Sequence, residues 1–248
     1  MISLLRYLQK TKWISRRDFL EMINEKAVSV DDNLVESINQ KIMIWNKIKI
    51  SLPNNKTYEE TVKKIPTFQP IIVAFNKPKW YVVSKSDKFN KTIYELLPAS
   101  WHKDFYYIGR LDKDSHWLLL LTNEPSVVEK YEKPKNKVIK IYETKIDKPM
   151  KTNHILKLKK WININEKWKI DEINWTMLSF YDVKYNKDKK WNHIVKILLT
   201  EGKNQQIRKA LKALSYKILD LKRIKVWKYE LGSIKPGKYM IHKIQINK

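Results

Sequence analysis

Four glycines in 248 residues limit how this chain can turn more than any other feature of its sequence. Glycine enters the positive-φ region without a Cβ clash, and many tight turns and helix ends need that region. At the usual share of about 7%, a chain of this length would carry roughly 17. Tryptophan runs the other way, with ten. Several tryptophans stand where turn-forming residues cluster: Lys79-Trp80, Asn165-Glu166-Lys167-Trp168, Ile173-Asn174-Trp175 and Asp188-Lys189-Lys190-Trp191. An indole has no local reason to favour such places, so tryptophan is expected at sites whose backbone suits glycine.

The charge balance bounds the function. Fifty-one Lys and Arg against 26 Asp and Glu give +25, which implies a polyanionic partner, with nucleic acid the first choice. There is no cysteine, so a disulfide framework, a thiol nucleophile and a Cys-ligated zinc site are excluded. Five scattered histidines argue against a His-based metal cage. The aliphatic run at 118–121 falls far short of the roughly 20 residues that span a bilayer, and the first residues lack a secretory h-region and cleavage site. A cytoplasmic protein with no membrane association is expected.

Along the chain, Leu4, Leu5 and Leu8 predict a first helix. Ser15 and Asp18 predict the capped start of a second, with Phe19, Leu20, Met22 and Ile23 as its buried face. Val28, Val30, Ile42, Ile44, Ile48 and Ile50 then read as short strands around an Asp31-Asp32-Asn33 turn. This helix–helix–β-ribbon, with Arg16 and Arg17 opening the second helix, suits a small RNA-binding module over 1–52. Residues 53–69 are polar and Pro-bounded and are expected to be a linker. From 70 to 248, strand patterns at 71–75, 81–83, 106–108, 118–121, 139–145, 177–184 and 194–200 alternate with a short helix capped by Thr92. A basic helix at 205–214, capped by Asn204, follows. The fold class expected is α+β: the small N-terminal module, then a mixed, mainly antiparallel sheet domain with flanking helices.

The chemistry concentrates in Gly109-Arg110-Leu111-Asp112-Lys113-Asp114-Ser115-His116-Trp117, followed by four leucines, Thr122 and Asn123. A carboxylate on a loop between two apolar strands is placed like a functional group on a rigid scaffold. This segment resembles the signature G-R-L-D-x-x-S/T-x-G-L-L-L-x-T-N of the ribosomal RNA pseudouridine synthases of the RsuA/RluB/RluF-like family, differing only at Trp117, where the signature has glycine. Four further segments match in order: Asn76-Lys77-Pro78-Lys79-Trp80 resembles N-K-P-x-G, Lys140-Ile141-Tyr142 resembles K-x-Y, residues 201–208 resemble E-G-x-N-x-Q-I-R, and Leu221 to Trp227 resembles L-x-R-x-x-I-G. Residues 1–50 look like the family's S4 RNA-binding domain.

The resemblance implies isomerisation of a specific uridine to pseudouridine in ribosomal RNA, with no cofactor and no metal. It implies Asp112 as the catalytic carboxylate, either attacking C1′ or abstracting a sugar proton, with Arg208 as its basic partner. A guanidinium there stabilises the ionised carboxylate. Tyr142 would lie against the flipped base. Arg110 would fill or orient the vacated stack, Leu221 would pack beside the base, and Arg223 and Lys77 would contact substrate. Arg6, Arg16 and Arg17 would contact RNA from the N-terminal module. A monomer is expected. A non-catalytic S4-type RNA-binding or ribosome-assembly protein on the same scaffold is the alternative.

Both compositional features sort against these motifs. Only six basic residues are Arg, leaving 45 Lys, and all six fall in the N-terminal helices or the matched segments. Trp13, Trp45, Trp80, Trp117, Trp161, Trp168, Trp175, Trp191 and Trp227 stand at family glycine positions or turn sites, and only Trp101 reads as an ordinary tryptophan. Two decodings account for this: UGA read as glycine in the source, or tryptophan at all ten positions in an A/T-rich genome that reads UGA as tryptophan.

Overall fold

In the first of two units, Met1–Gln69, helix formation follows the expected signals. A short strand β1 (Ile2–Ser3) leads into α1 (Leu4–Thr11), whose Leu4, Leu5 and Leu8 are buried. In α2 (Arg16–Asn24), Ser15 Oγ accepts from the Asp18 amide and Asp18 returns the bond to the Ser15 amide, both at 3.1 Å. Phe19 is fully buried, with Met22 and Ile23 packed beside the core. Leu20, expected on that face, is exposed, because one residue's rotation about the helix carries it away from the i, i+3, i+4 stripe. Strands β2 (Val28–Val30), β3 (Asn33–Leu34), β4 (Lys41–Ile42), β5 (Lys47–Leu52) and β6 (Lys56–Thr61) follow. Four of them form a sheet in the order β3-β2-β5-β6, and β1 pairs with β4. Asp31 and Asp32, at φ 50° and 64°, turn the chain between β2 and β3. The expected linker needs correction: β6 pairs with β5 from Lys47↔Thr61 to Leu52↔Lys56 and belongs to the unit. It is an edge strand, and its polar residues leave no apolar run to read.

The computed structural model describes residues 1–245 except 13, 53–55, 66–68, 161, 170–171, 179, 181 and 189–191.

The second unit, Pro70–Lys248, is built on β7 (Ile71–Lys77), α3 (Trp101–Asp104), β8 (Tyr106–Ile108), β9 (His116–Thr122), α4 (Pro125–Glu132), β10 (Lys140–Ile146), α5 (Thr152–Lys160), β11 (Ile162–Lys169), β12 (Glu172–Leu178), β13 (Asp182–Lys187), β14 (His193–Leu199), α6 (Gln206–Ala213), β15 (Ile218–Val226) and β16 (Tyr239–Lys243). Its main sheet runs β13-β14-β10-β15-β9-β7-β16, with β8 added on β9. Every pairing is antiparallel except β15 with β9, where Lys222 faces His116 and Arg223 faces Trp117. The mixed, mainly antiparallel α+β architecture is therefore the expected one. Leu118, Leu119, Leu120 and Leu121 are all fully buried, so β9 is covered on both faces and reads as a continuous apolar run.

Two expected elements differ. No strand forms at 81–83, where Val82 makes only an isolated bridge with Thr92. The strand read at 177–184 is the end of β12 and the start of β13. Trp175 lies in β12, paired with Asn165, and Trp168 lies in β11 at a register shift, so neither occupies a simple turn. Trp13, Trp161 and Trp191 lie outside the described residues. The remaining tryptophans of the group behave as glycine sites would. Trp45, Trp80, Trp117 and Trp227 have φ of 77°, 73°, 82° and 51°, a region L-residues enter only with strain. Trp45 and Trp80 are 73% and 66% exposed. Their amides donate to Val62 O and Lys113 O, which ties the unusual backbone to the fold.

Candidate active site

The loop from Gly109 to Ser115 joins β8 to β9 at the parallel seam of the sheet. Two buried cations lie beside it, and one of them holds it. Lys77, the last residue of β7, is fully buried, and its Nζ donates to the carbonyls of Pro78 (3.1 Å), Asp112 (3.1 Å), Lys113 (3.3 Å) and Ser115 (2.7 Å). Burial lowers its pKa from the usual 10.5 to about 8; Asp114 and Asp112 oppose that shift and Arg223 adds to it. Lys77 thus holds the loop and does not reach RNA as the sequence reading expected. Arg223 on β15 is corrected in the same way: it is 2% exposed and its Nε donates to Leu118 O at 3.0 Å. Gly109, at φ 66°, uses its conformational freedom where the chain enters the loop.

From α6, Arg208 organises the loop's side chains. Its Nε donates to Asp112 Oδ2 at 3.2 Å, and its Nη2 donates to Ser115 Oγ at 2.9 Å and meets Asp114 Oδ1 at 2.8 Å. The rigid, planar guanidinium reaches these acceptors from two separate nitrogens in fixed directions, whereas an ammonium is a single point on a flexible stem. The start of α6 is not the expected Asn204 cap. Gln205 occupies that position in the left-handed region, with no side-chain cap. The preceding turn is held by the buried Gln206, whose side chain accepts from the Lys203 amide and donates to Glu201.

Asp112, Tyr142, Arg208, Arg110, Leu199 and Leu221 line one cavity of about 100 Å³. A register shift between Ile141 and Tyr142 marks β10 where it presents Tyr142. Leu221 is 5% exposed and forms apolar wall; Arg110 is exposed at the mouth. The cavity shares Arg110, Leu111, Asp112, Gly202, Lys203 and Gln205 with a wider hollow of about 530 Å³. Of the residues expected here, Asp112, Tyr142, Arg208, Arg110 and Leu221 converge, whereas Lys77 and Arg223 lie beneath. Arg6, Arg16 and Arg17 belong to the first unit.

The sequence alone assigns no role to Ser115, Asp114 or His116, yet all three side chains are engaged in the structure. The Ser/Thr position of the loop signature was the available signal for Ser115. His116 is paired with Asp220 at 3.0 Å, and Lys79 pairs with the same carboxylate. Burial would raise the Asp220 pKa, but hydrogen bonds from Lys79 and His116 prevail and hold it below the usual range. Among the described residues, no group of acidic, His or Cys side chains could hold a metal ion, and no helix is long and apolar enough to cross a membrane.

The arrangement is a carboxylate, a guanidinium and a tyrosine around a base-sized cavity in a basic chain. Comparison with known proteins finds relatives along most of the chain. The chain is 25% identical over 237 residues to an uncharacterized RNA pseudouridine synthase of Aquifex aeolicus, covering 94% of this chain and 90% of that one. It is 25% identical to a ribosomal small subunit pseudouridine synthase A of Vibrio vulnificus, covering 90% and 91%. It is 27% identical to a ribosomal large subunit pseudouridine synthase E of Vibrio parahaemolyticus, covering 78% and 76%. A crystal structure of a pseudouridylate synthase superposes with a TM-score of 0.60 at 21% identity, over 98% of this chain and 96% of that one, and so shares the fold. The model of the RNA pseudouridylate synthase family matches residues 71–213, which carry Asp112, Tyr142 and Arg208, and the chain belongs to that family.

Proposed function

We propose that the protein isomerises one uridine of ribosomal RNA to pseudouridine. The observation that carries this reading is the Asp112 carboxylate, held by Arg208 at the mouth of a cavity walled by Tyr142 and Leu221. The reaction breaks the N1–C1′ bond, turns the base, joins C5 to C1′, removes the proton from C5 and leaves one on N1. Asp112 either attacks C1′ or takes a sugar proton. Both routes need the carboxylate ionised, and Arg208 is the cation hydrogen-bonded to it. Tyr142 stands against the flipped base and assists removal of the C5 proton, directly or through water. Arg110, exposed at the mouth, occupies the space the extruded nucleotide leaves. No cofactor or metal is required, because the C–C bond formed is stable.

The N-terminal unit acts as an S4-type RNA grip. Arg16 and Arg17 are exposed on the first turn of α2, where the helix dipole disfavours cations, a placement that phosphate contacts would justify. Arg6 on α1 extends the same basic module. The protein works as a monomer in the cytoplasm, with ribosomal RNA as its partner.

The four positive-φ tryptophans support reading UGA as glycine in the source organism. Peptide mass spectrometry of the native protein decides this, since tryptophan at 117 and 227 would exclude it. The activity is tested by incubating small- and large-subunit ribosomal RNA with the protein and mapping pseudouridine. One new pseudouridine, lost with Asp112→Asn, is the expected result. RNA binding without any modification would favour the non-catalytic alternative.

A further inference from the structure

Phe89 is 85% exposed, more than any other large apolar side chain among the described residues. A lone exposed apolar residue is ordinary on a protein surface and means little by itself. Three observations set this one apart. First, its backbone is fixed: Asp87 Oδ1 accepts from the amides of Phe89 (2.9 Å) and Asn90 (2.7 Å), and from Asn90 Nδ2 (2.9 Å). The ring is therefore held out by a braced turn and is not the tip of a loose loop. Second, both anchors of that turn belong to the active-site surroundings. Asp87 lines the wide hollow, and so does Lys113, whose Nζ donates to Asn90 Oδ1 at 2.6 Å. Lys113 is the residue after Asp112, so the turn is tied directly to the catalytic loop. Third, the neighbourhood is cationic. Lys88 Nζ lies 5.5 Å from the Phe89 ring, and Arg110 and Lys203 line the hollow.

We infer that Phe89 is a stacking platform for an unpaired nucleotide of the substrate RNA beside the target uridine, with the hollow receiving that nucleotide and its phosphate. A flat apolar ring flanked by cations is the chemistry that recognises a base and its backbone together. Extruding the target uridine breaks stacking on its neighbours, and a fixed ring at the rim replaces part of that lost stacking. The hollow continues into the smaller cavity through Arg110, Leu111 and Asp112, so one strand can occupy both. The inference rests on the site being the pseudouridylation site.

The test uses full-length protein and transcribed small- and large-subunit ribosomal RNA. Base–aromatic stacking is worth about 1–3 kcal/mol per base, which converts to a rise in KM of about 5- to 150-fold for Phe89→Ala, with kcat largely kept at saturating RNA. Phe89→Trp should keep the parent KM, whereas Phe89→Leu, apolar but not aromatic, should behave like the alanine variant. Because the ring is not packed in the core, melting temperatures should be unchanged, so a KM effect is not one of unfolding. If the parent modifies RNA and Phe89→Ala matches its KM, the platform is overturned. A leucine variant that matches the parent overturns stacking as the cause. An inactive parent overturns the functional reading itself, which is a distinct result.

Discussion

The left-handed tryptophans allow a test in which the sign of one number decides. At an ordinary backbone position, Gly is less stable than Ala by about 0.5–1 kcal/mol, because it loses more freedom on folding. At positive φ an L-residue carries about 1–2 kcal/mol of strain that Gly does not. For Trp45 (φ 77°) and Trp80 (φ 73°) the two terms combine to favour Gly over Ala by about 0–1.5 kcal/mol, a reversal of sign at the centre of the range. Comparing Gly with Ala, and not with the parent, is essential. Each indole keeps some contact, being 73% and 66% exposed, and removing it has a cost that both variants share. Trp101, in α3 and stacked on Phe105 at 4.3 Å, is the control: there Ala should exceed Gly. The assay is calorimetric unfolding of the Gly and Ala variants at each site. Trp45 reports on Met1–Gln69 and Trp80 on Pro70–Lys248. One kcal/mol moves the midpoint by about 4–8 °C in a unit of 60–100 residues and about 2–4 °C in one of 150–250. Ala at or above Gly at both 45 and 80 would refute the claim that these backbones are glycine sites.

Further predictions concern the proposed active site and the proposed RNA grip. Arg208→Lys keeps the charge but loses the three-way hold on Asp112, Asp114 and Ser115; kcat should fall by about 10²-fold with little change in RNA affinity, measured by single-turnover kinetics and filter binding. Lys77 is charged below about pH 8 in the folded chain and up to about 10.5 when unfolded, so between these values the unfolded state binds the extra proton and stability rises with pH. The stability of the parent relative to Lys77→Met should therefore grow across that window by up to about 3 kcal/mol, while activity falls as the ammonium holding the loop discharges. A difference that stays flat from pH 8 to 10 in urea titrations would count against this. Replacing Arg16 and Arg17 together by Ala should weaken RNA binding at all sequences and reduce the salt slope by about 1.5, if each contacts one phosphate.

What the sequence revealed of the fold and the site, and what it concealed, divides along physical lines. The apolar run at 118–121, the capping box at Ser15 and the strands around Asp31 follow from periodicity and local hydrogen bonding, which sequence carries directly. Asp112 was found because its loop has a distinctive order of residue types. The resemblance implies substrate contacts for Lys77 and Arg223, and nothing in their local sequence marks these two cations as buried. Only the tertiary structure shows that four carbonyls gather around one of them and that the other lies under β9. The strand β6 was hidden for the opposite reason, since an edge strand needs little apolar sequence. Gln205 at the head of α6 reflects a backbone conformation that its side chain does not announce.

The tryptophan at the end of the Asp112 loop bears on activity as well as on stability. Trp117 sits within β9 at φ 82°, opposite Lys77 on one side and Arg223 on the other, at the residues where the loop's buried cations are anchored. At the other flank, the Trp80 amide donates to Lys113 O, the carbonyl that also receives Lys77. Strain at both flanks is thus borne by the segment that positions Asp112. The side chains of Lys77 and Arg208 hydrogen-bond the loop, and neither makes these bonds through an indole. Trp117→Gly should therefore keep the geometry and retain at least the parent's rate of pseudouridine formation, while Trp117→Ala keeps the strain and gains nothing. Trp117 is only partly buried and lies 5.6 Å from Lys222 Nζ across the seam, so the opposite outcome has a definite meaning. A glycine variant that folds but loses activity would show that the indole itself braces the junction of β9 and β15, and that tryptophan is the residue this loop was built around.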